Sequence, residues 1–222
     1  MDYIRNMPSK NIQREDIPGG FYHVYGRGAA RRLIFVHDED RQYFIELLRR
    51  YLGPEEMYDI NNNPYPSYRG EVQLMAFCLM GTHFHMLLYQ AESGRIAEFM
   101  KSLISSYTRY YNRKHASYGA LLESRYRAVL IQNENYLVHL TRYIHFNPDD
   151  YESYEWSSLR YYLGEPDPDW LSAAELIEIA NLSPSYYHAL MQDYEDFAAT
   201  LSMLNLADSG ESLKEKEERT PF

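Results

Sequence analysis

A single cysteine, Cys78, among 222 residues excludes a disulfide framework and a cysteine-based zinc site, and it fits a reducing cytoplasm. No run approaches the ~18 apolar residues of a membrane span, and Met1-Asp2-Tyr3-Ile4-Arg5 lacks the apolar stretch of a secretory signal. The sequence therefore predicts a soluble, cytoplasmic protein. Basic charge is scarce as well: 22 Lys+Arg stand against 32 Asp+Glu, a net charge of −10, which at first sight argues against a phosphate-rich partner. The deficit is local. Residues 1–148 carry 18 Lys+Arg against 15 Asp+Glu, whereas residues 149–222 carry 4 against 17, so the acidity belongs to the C-terminal third. Internal repeats are absent too. Tyrosine is plentiful, with 23 copies, which weakens any argument resting on one of them.

The length suits one well-packed domain plus an appendage. An irregular arm, residues 1–19, leads into a strand at Phe21–Tyr25 that ends in Gly26-Arg27-Gly28, where the glycines mark a turn or a close backbone approach. A helix capped by Asp38 follows, with Phe44, Leu47, Leu48 and Tyr51 as its apolar face. Residues 54–70, rich in Asn and Pro, read as a long exposed loop. Two strands, 71–80 and 83–89, share a tight connection at Gly81-Thr82, and a helix with apolar positions at three- and four-residue spacing runs from Ile96 to about Lys114. A fourth strand spans 123–131, and a helix spans 134–146 until Pro148 stops it. The order β-α-β-β-α-β is that of the ferredoxin-like split βαβ: an α+β fold with an antiparallel sheet and two helices on one face. A helical extension is expected over residues 165–206, with Pro184 in the first turn after Ser183, and a charged disordered tail over 207–222.

Two stretches carry chemistry. His83 and His85 flank Phe84 in an apolar strand, so both imidazoles project from one face. Such a pair can chelate a metal, although histidines at this spacing are more often half-buried structural residues. Tyr143 and Asn147 lie four apart on the helix that precedes Pro148, which places a phenol and a carboxamide on one side. Taken singly, Tyr143 reads as amphipathic packing and Asn147 as a helix C-cap before proline.

As an ordered series the motifs say more. Tyr22-His23-Val24 with Arg27-Gly28, Gly81-Thr82-His83-Phe84-His85-Met86-Leu87-Leu88, Ser106-Tyr107-Thr108-Arg109-Tyr110-Tyr111-Asn112, Glu123-Ser124-Arg125-Tyr126-Arg127, Arg142-Tyr143-Ile144-His145-Phe146-Asn147-Pro148 and Trp156-Ser157-Ser158 follow one another. Together they resemble the single-tyrosine transposases of the HUH endonuclease superfamily, and in particular the REP-associated tyrosine transposases, over residues 20–164. The resemblance implies a metal-dependent endonuclease and strand transferase acting on single-stranded, hairpin-containing DNA. Within it His83, His85 and Asn147 hold a divalent cation (Mg or Mn), and Tyr143 is the nucleophile, with Tyr136 in reserve. It also implies a homodimer, with a monomer as the alternative. Arg27, Arg31, Arg109, Arg113, Arg125 and Arg127 are candidates for phosphate contacts. The sequence departs from the family pattern at Gly81-Thr82, Ala29-Ala30 and Asp149-Asp150. Two other readings stay open: a domesticated DNA- or RNA-binding regulator that keeps the fold without cleaving, and a hydrolase that uses metal-activated water.

Overall fold

The computed structural model describes residues 16–133 and 135–193. The expected tail at 207–222, most of the N-terminal arm and the end of the last expected helix lie outside the described residues. Four strands, β1 (Gly20–Arg27), β2 (Val72–Leu79), β3 (His83–Gln90) and β4 (Arg127–Leu130), form one sheet in the order β2-β3-β1-β4. Every neighbouring pair is antiparallel. With α1 (Asp38–Leu52) and α2 (Arg95–Lys114) as the crossovers, this is the ferredoxin-like arrangement that the sequence predicts.

The strand register assigns the two faces. His23 pairs with Leu87, Tyr25 with His85 and Arg27 with His83, and directly opposed residues share a face. The alternate set, including Val24, Met86 and Phe84, points the other way, where the Phe44 ring of α1 meets Phe84 at 5.6 Å and Tyr107 of α2 at 5.0 Å. Helix α3 (Asn135–His145) lies on the histidine face, against β2 and β3, and after the short α4 (Leu159–Tyr162) helix α5 (Ala173–Ile179) packs against β2. Leu137, Leu140 and Ile144 are the buried stripe of α3, and hydrophobic burial of this kind stabilises by roughly 1.5–3 kcal/mol per side chain. Cover on both faces explains why β2 and β3 read as nearly continuous apolar runs rather than alternating ones.

Two glycines let β1 end close to its neighbours. A Cβ on Gly26 would meet the Phe84 ring at 2.8 Å, and one on Gly28 would collide with the Arg32 carbonyl oxygen. The chain then turns through Ala29–Arg31 with Ala30 and Arg31 both at positive φ, 54° and 59°. These are left-handed values that cost a non-glycine residue roughly 1 kcal/mol or more.

Several boundaries differ from the sequence reading. Asp38 is not the cap of α1: His37 is the N-cap, and the buried Asp40 carboxylate accepts from the backbone N–H groups of Val36 (2.9 Å) and His37 (3.0 Å). Residues 54–70 form the exposed loop that the sequence predicts, and it is held by internal contacts. Tyr58 bridges to Pro64, the Asp59 carboxylate accepts from the N–H groups of Asn61 and Asn63 at 2.8 Å each, and Tyr68 is buried with its hydroxyl 2.8 Å from Ser102 Oγ. The fourth strand shortens to Arg127–Leu130. Upstream, Leu122 already bridges Gly28 and the Glu123 N–H donates to the Arg27 carbonyl, so the chain bends outward before rejoining β1. Ser183 does cap α6 (Pro184–Gln192), accepting from the Tyr186 N–H at 3.2 Å with proline in the first turn. Among the described residues, no helix is long and apolar enough to cross a membrane.

Candidate active site

The site grows from the first residues of β3. His83 and His85 project from one face, both buried, with ring centroids 5.1 Å apart. Thr82 Oγ1 lies 2.9 Å from His83 Nδ1, so the hydroxyl in the short β2–β3 connection orients the first ring. His85 is held from the other side, with its Nδ1 2.9 Å from Nε2 of His23 on β1 and the two rings stacked at 15°. Burial pushes His85 well below the ordinary imidazole range, with the neighbouring His23, His83 and Arg27 adding to the effect. Burial likewise pushes His23 down to about 3. Both rings are therefore neutral at physiological pH, the state in which imidazole ligates a metal.

Helix α3 brings the other groups. The Tyr143 ring meets His85 edge-on at 5.4 Å and His23 at 5.8 Å. One turn later Asn147 Nδ2 donates to the Tyr143 carbonyl at 2.9 Å, while Asn147 Oδ1 lies 3.3 Å from His83 Nε2. Asn147 is thus both the helix cap and the third polar group of the site. Its amide hydrogens close the helix end, and that contact turns the oxygen toward the histidine.

Four groups named from sequence, His83, His85, Tyr143 and Asn147, come together within one chain. The competing tyrosines do not. Tyr136 has its ring beside His139, at 6.5 Å. Tyr107, Tyr110 and Tyr111 lie on α2, on the far side of the sheet, where their hydroxyls donate to the carbonyls of Ile34, Glu39 and Leu33. The arginines divide in the same way. Arg27 stands opposite His83, and Arg127 opposite Tyr25, so both belong to the histidine face. Arg125 is exposed just before β4, and Arg31 is exposed in the left-handed turn after β1. Arg109 and Arg113 are exposed on α2, in the opposite layer.

The tyrosine helix is fixed from behind by the chain that follows it. His145 is completely buried, with Nδ1 2.8 Å from the Tyr187 hydroxyl and Nε2 2.8 Å from Ser158 Oγ. Ser158 Oγ in turn accepts from the Phe77 N–H of β2 at 2.8 Å, and Arg142 donates to the Asp193 carbonyl at 2.7 Å. Strand β2 and helix α6 therefore set the position from which Tyr143 projects.

Whether the site suits a divalent cation can be asked of its donor atoms. Among the described residues, no group of three or more His, Cys, Asp or Glu side chains could hold a metal, so any protein shell here has two imidazoles and relies on a neutral amide oxygen. The residues fit that role. His85 Nε2 is buried with no hydrogen-bond partner, and His83 Nε2 and Asn147 Oδ1 converge. Such a neutral set leaves coordination positions for phosphate oxygens.

Sequence reasoning alone assigns no role to His23, although it stands in the Tyr22-His23-Val24 motif. Its signal was its alternate spacing with Tyr25 and Arg27 along β1. What was not legible was the β1–β3 register that sets it beside His85.

A search of the curated proteins finds no match. A solved structure described as a REP-associated tyrosine transposase bound to a REP hairpin is similar at 17% sequence identity and a TM-score of 0.48, over 74% of this chain and 92% of the other. The family described as "Transposase IS200 like" matches residues 65–147, the stretch that contains His83, His85, Tyr143 and Asn147. Over residues 65–147, then, this chain is similar to the IS200-like transposases.

Proposed function

We propose that the protein is a single-stranded DNA endonuclease and strand transferase that works through a covalent tyrosine intermediate. The observation that carries this reading is the placement of Tyr143 against His85, with Asn147 Oδ1 3.3 Å from His83 Nε2: a nucleophile and a set of cation donors on one side of the sheet.

In this reading His83, His85 and Asn147 hold a divalent cation, Mg or Mn. When bound, it offsets the negative charge that builds on the phosphate as phosphorus becomes pentacoordinate. The chain's own groups do the rest. The Tyr143 oxygen attacks a backbone phosphodiester, the bond from Tyr143 Oη to phosphorus forms, and the bond from phosphorus to the 3′-oxygen breaks. The phenol proton is lost, and the departing 3′-oxygen ends as a hydroxyl. The 5′ side of the break is then linked to the protein. Because the phosphotyrosine ester conserves the energy of the broken bond, another 3′-hydroxyl can displace the tyrosine and rejoin the strand, with no nucleotide cofactor. Phenol is a weak nucleophile near neutral pH, its ordinary pKa being about 10, so the polar groups beside Tyr143 must favour the phenolate.

Arg27 and Arg127 on the histidine face, with Arg31 and Arg125 beside it, are the phosphate contacts closest to this chemistry. Arg109 and Arg113 would serve only a strand that wraps to the opposite layer. In this reading all four site groups can come from one chain, and the homodimer implied by the family resemblance and the monomer are both compatible with the chemistry.

The test is incubation with labelled single-stranded hairpin DNAs and Mn2+, followed by denaturing electrophoresis. A denaturant-stable protein–DNA adduct supports the reading. Cleavage without an adduct in Tyr143→Phe points to the water-based hydrolase. Binding across many substrates without cleavage points to the non-cleaving regulator.

A further inference from the structure

His23 and His85 form a buried imidazole pair whose protons can be counted. The pair shares one hydrogen bond, 2.9 Å between His23 Nε2 and His85 Nδ1. The remaining nitrogens, His23 Nδ1 and His85 Nε2, are buried without a hydrogen-bond partner. Buried unsatisfied nitrogens are uncommon and call for an explanation. Two neutral rings carry two protons on four nitrogens, so only two arrangements keep the shared bond.

In the first, His23 Nε2–H donates to His85 Nδ1. His85 must then hold its own proton on Nε2, which places an unsatisfied N–H where a cation ligand would be needed. In the second, His85 Nδ1–H donates to His23 Nε2. His85 Nε2 then carries a free lone pair on the side of the ring away from His23, and His23 keeps its proton on Nδ1. Only the second arrangement makes His85 a ligand without a proton having to move.

We propose that His23 is a positioning residue: it accepts from His85 Nδ1–H and so holds His85 in the tautomer that presents Nε2 to the cation site. The proposal rests on the reading of His83, His85 and Asn147 as cation ligands, and it adds a residue from a different strand to their support. The stacking of the two rings at 15° and the complete burial of His23 fix the acceptor as firmly as a main-chain carbonyl would. Partners of this kind set ligand orientation and basicity, and removing one typically lowers metal affinity 10- to 100-fold. Thr82 Oγ1 occupies the corresponding place at His83 Nδ1, so each histidine of the pair has its own orienting group.

The experiment has two readouts. Long-range 1H–15N correlation spectra of the metal-free full-length protein report which His85 nitrogen bears the proton. Titration with Mn2+, followed by the electron paramagnetic resonance of the free ion, reports affinity for wild type, His23→Leu and His23→Gln. Expected are a protonated Nδ1 on His85 in wild type, an affinity about 10- to 100-fold weaker in His23→Leu, and substantial recovery in His23→Gln, whose amide oxygen can accept the same hydrogen bond. A His85 protonated on Nε2 in wild type overturns the proposal, as does unchanged Mn2+ affinity in a folded His23→Leu. If wild type binds no Mn2+, the cation reading of the site fails by itself, and the tautomer still decides the role of His23.

Discussion

Asn147 caps the carbonyl of Tyr143. Its Nδ2 donates to that oxygen at 2.9 Å, which leaves Oδ1 turned to His83 Nε2 at 3.3 Å. The residue that ends the tyrosine helix is therefore also the one that ties the helix to the histidine strand. Replacing it separates the two roles. Asn147→Ala loses a helix-end hydrogen bond, a stability cost of about 1 kcal/mol, and also loses an oxygen donor. Asn147→Asp keeps the oxygen but gives up the amide hydrogens. Urea denaturation is expected to show both variants destabilised, whereas Mn2+ titration should show weakened binding in Asn147→Ala alone.

The arginines should divide by layer. Arg27 stands opposite His83, whereas Arg109 is on α2 across the sheet. Arg27→Ala is expected to weaken single-stranded DNA binding and to lower the slope of log affinity against log salt by about 1, as the loss of one phosphate contact does. Arg109→Ala is expected to leave that slope unchanged for short strands. Fluorescence anisotropy over a range of salt concentrations measures both.

His145 makes stability depend on pH. Burial pushes its imidazole down to about 3 from an ordinary 6.5, so below pH 6.5 the unfolded chain takes up a proton that the folded chain refuses. Its contribution is complete above pH 6.5 and is lost between there and about pH 3, at about 1.4 kcal/mol per pH unit. Chemical denaturation of wild type and His145→Gln at pH 7.5 and pH 5 is expected to show their stability difference shrinking by about 2 kcal/mol at the lower pH. Tyr187→Phe, which removes the hydroxyl beside His145 Nδ1, is expected to cost about 1–2 kcal/mol.

Asp40 acts at more acid pH. Burial alone would raise its carboxyl, but hydrogen bonds from the His37 N–H, Lys114, His115 and the Val36 N–H outweigh it and bring it down to about 2. The stabilisation is therefore present above the unfolded value near 3.8 and is lost as the pH falls through about 2. Asp40→Asn is expected to destabilise by about 2 kcal/mol at neutral pH. It should also loosen the junction between the start of α1 and the end of α2, where Lys114 and His115 reach the carboxylate at 2.9 and 3.1 Å. Hydrogen exchange over residues 36–40 checks the location.

What was legible in the sequence followed from periodicity. Alternation placed His83 and His85 on one face, three- and four-residue spacing gave α2 and the buried stripe of α3, and the element order gave the strand order. What escaped it came from contacts distant in sequence. The β1–β3 register, which sets His23 beside His85, is not written in either strand alone. The position of Asp38 suits a cap of α1, whereas the carboxylate that accepts from the Val36 and His37 N–H groups belongs to Asp40, two residues on. The alternation from Glu123 to Tyr126 predicts a longer fourth strand than forms, because Leu122 and Glu123 already meet Gly28 and Arg27 and the chain rejoins β1 only at Arg127. The support of α3 by Ser158 and Tyr187 joins residues 13 and 42 positions away from His145, beyond any local pattern.

The central claim is that Tyr143 becomes joined to DNA, and peptide mapping tests it most directly. The protein is incubated with a single-stranded hairpin substrate and Mn2+, digested with protease and nuclease, and analysed by tandem mass spectrometry for a nucleotide-bearing tyrosine. The account predicts the modification on Tyr143, retained in Tyr136→Phe and absent from Tyr143→Phe. A nucleotide on any other tyrosine, or an adduct that persists in Tyr143→Phe, would contradict it.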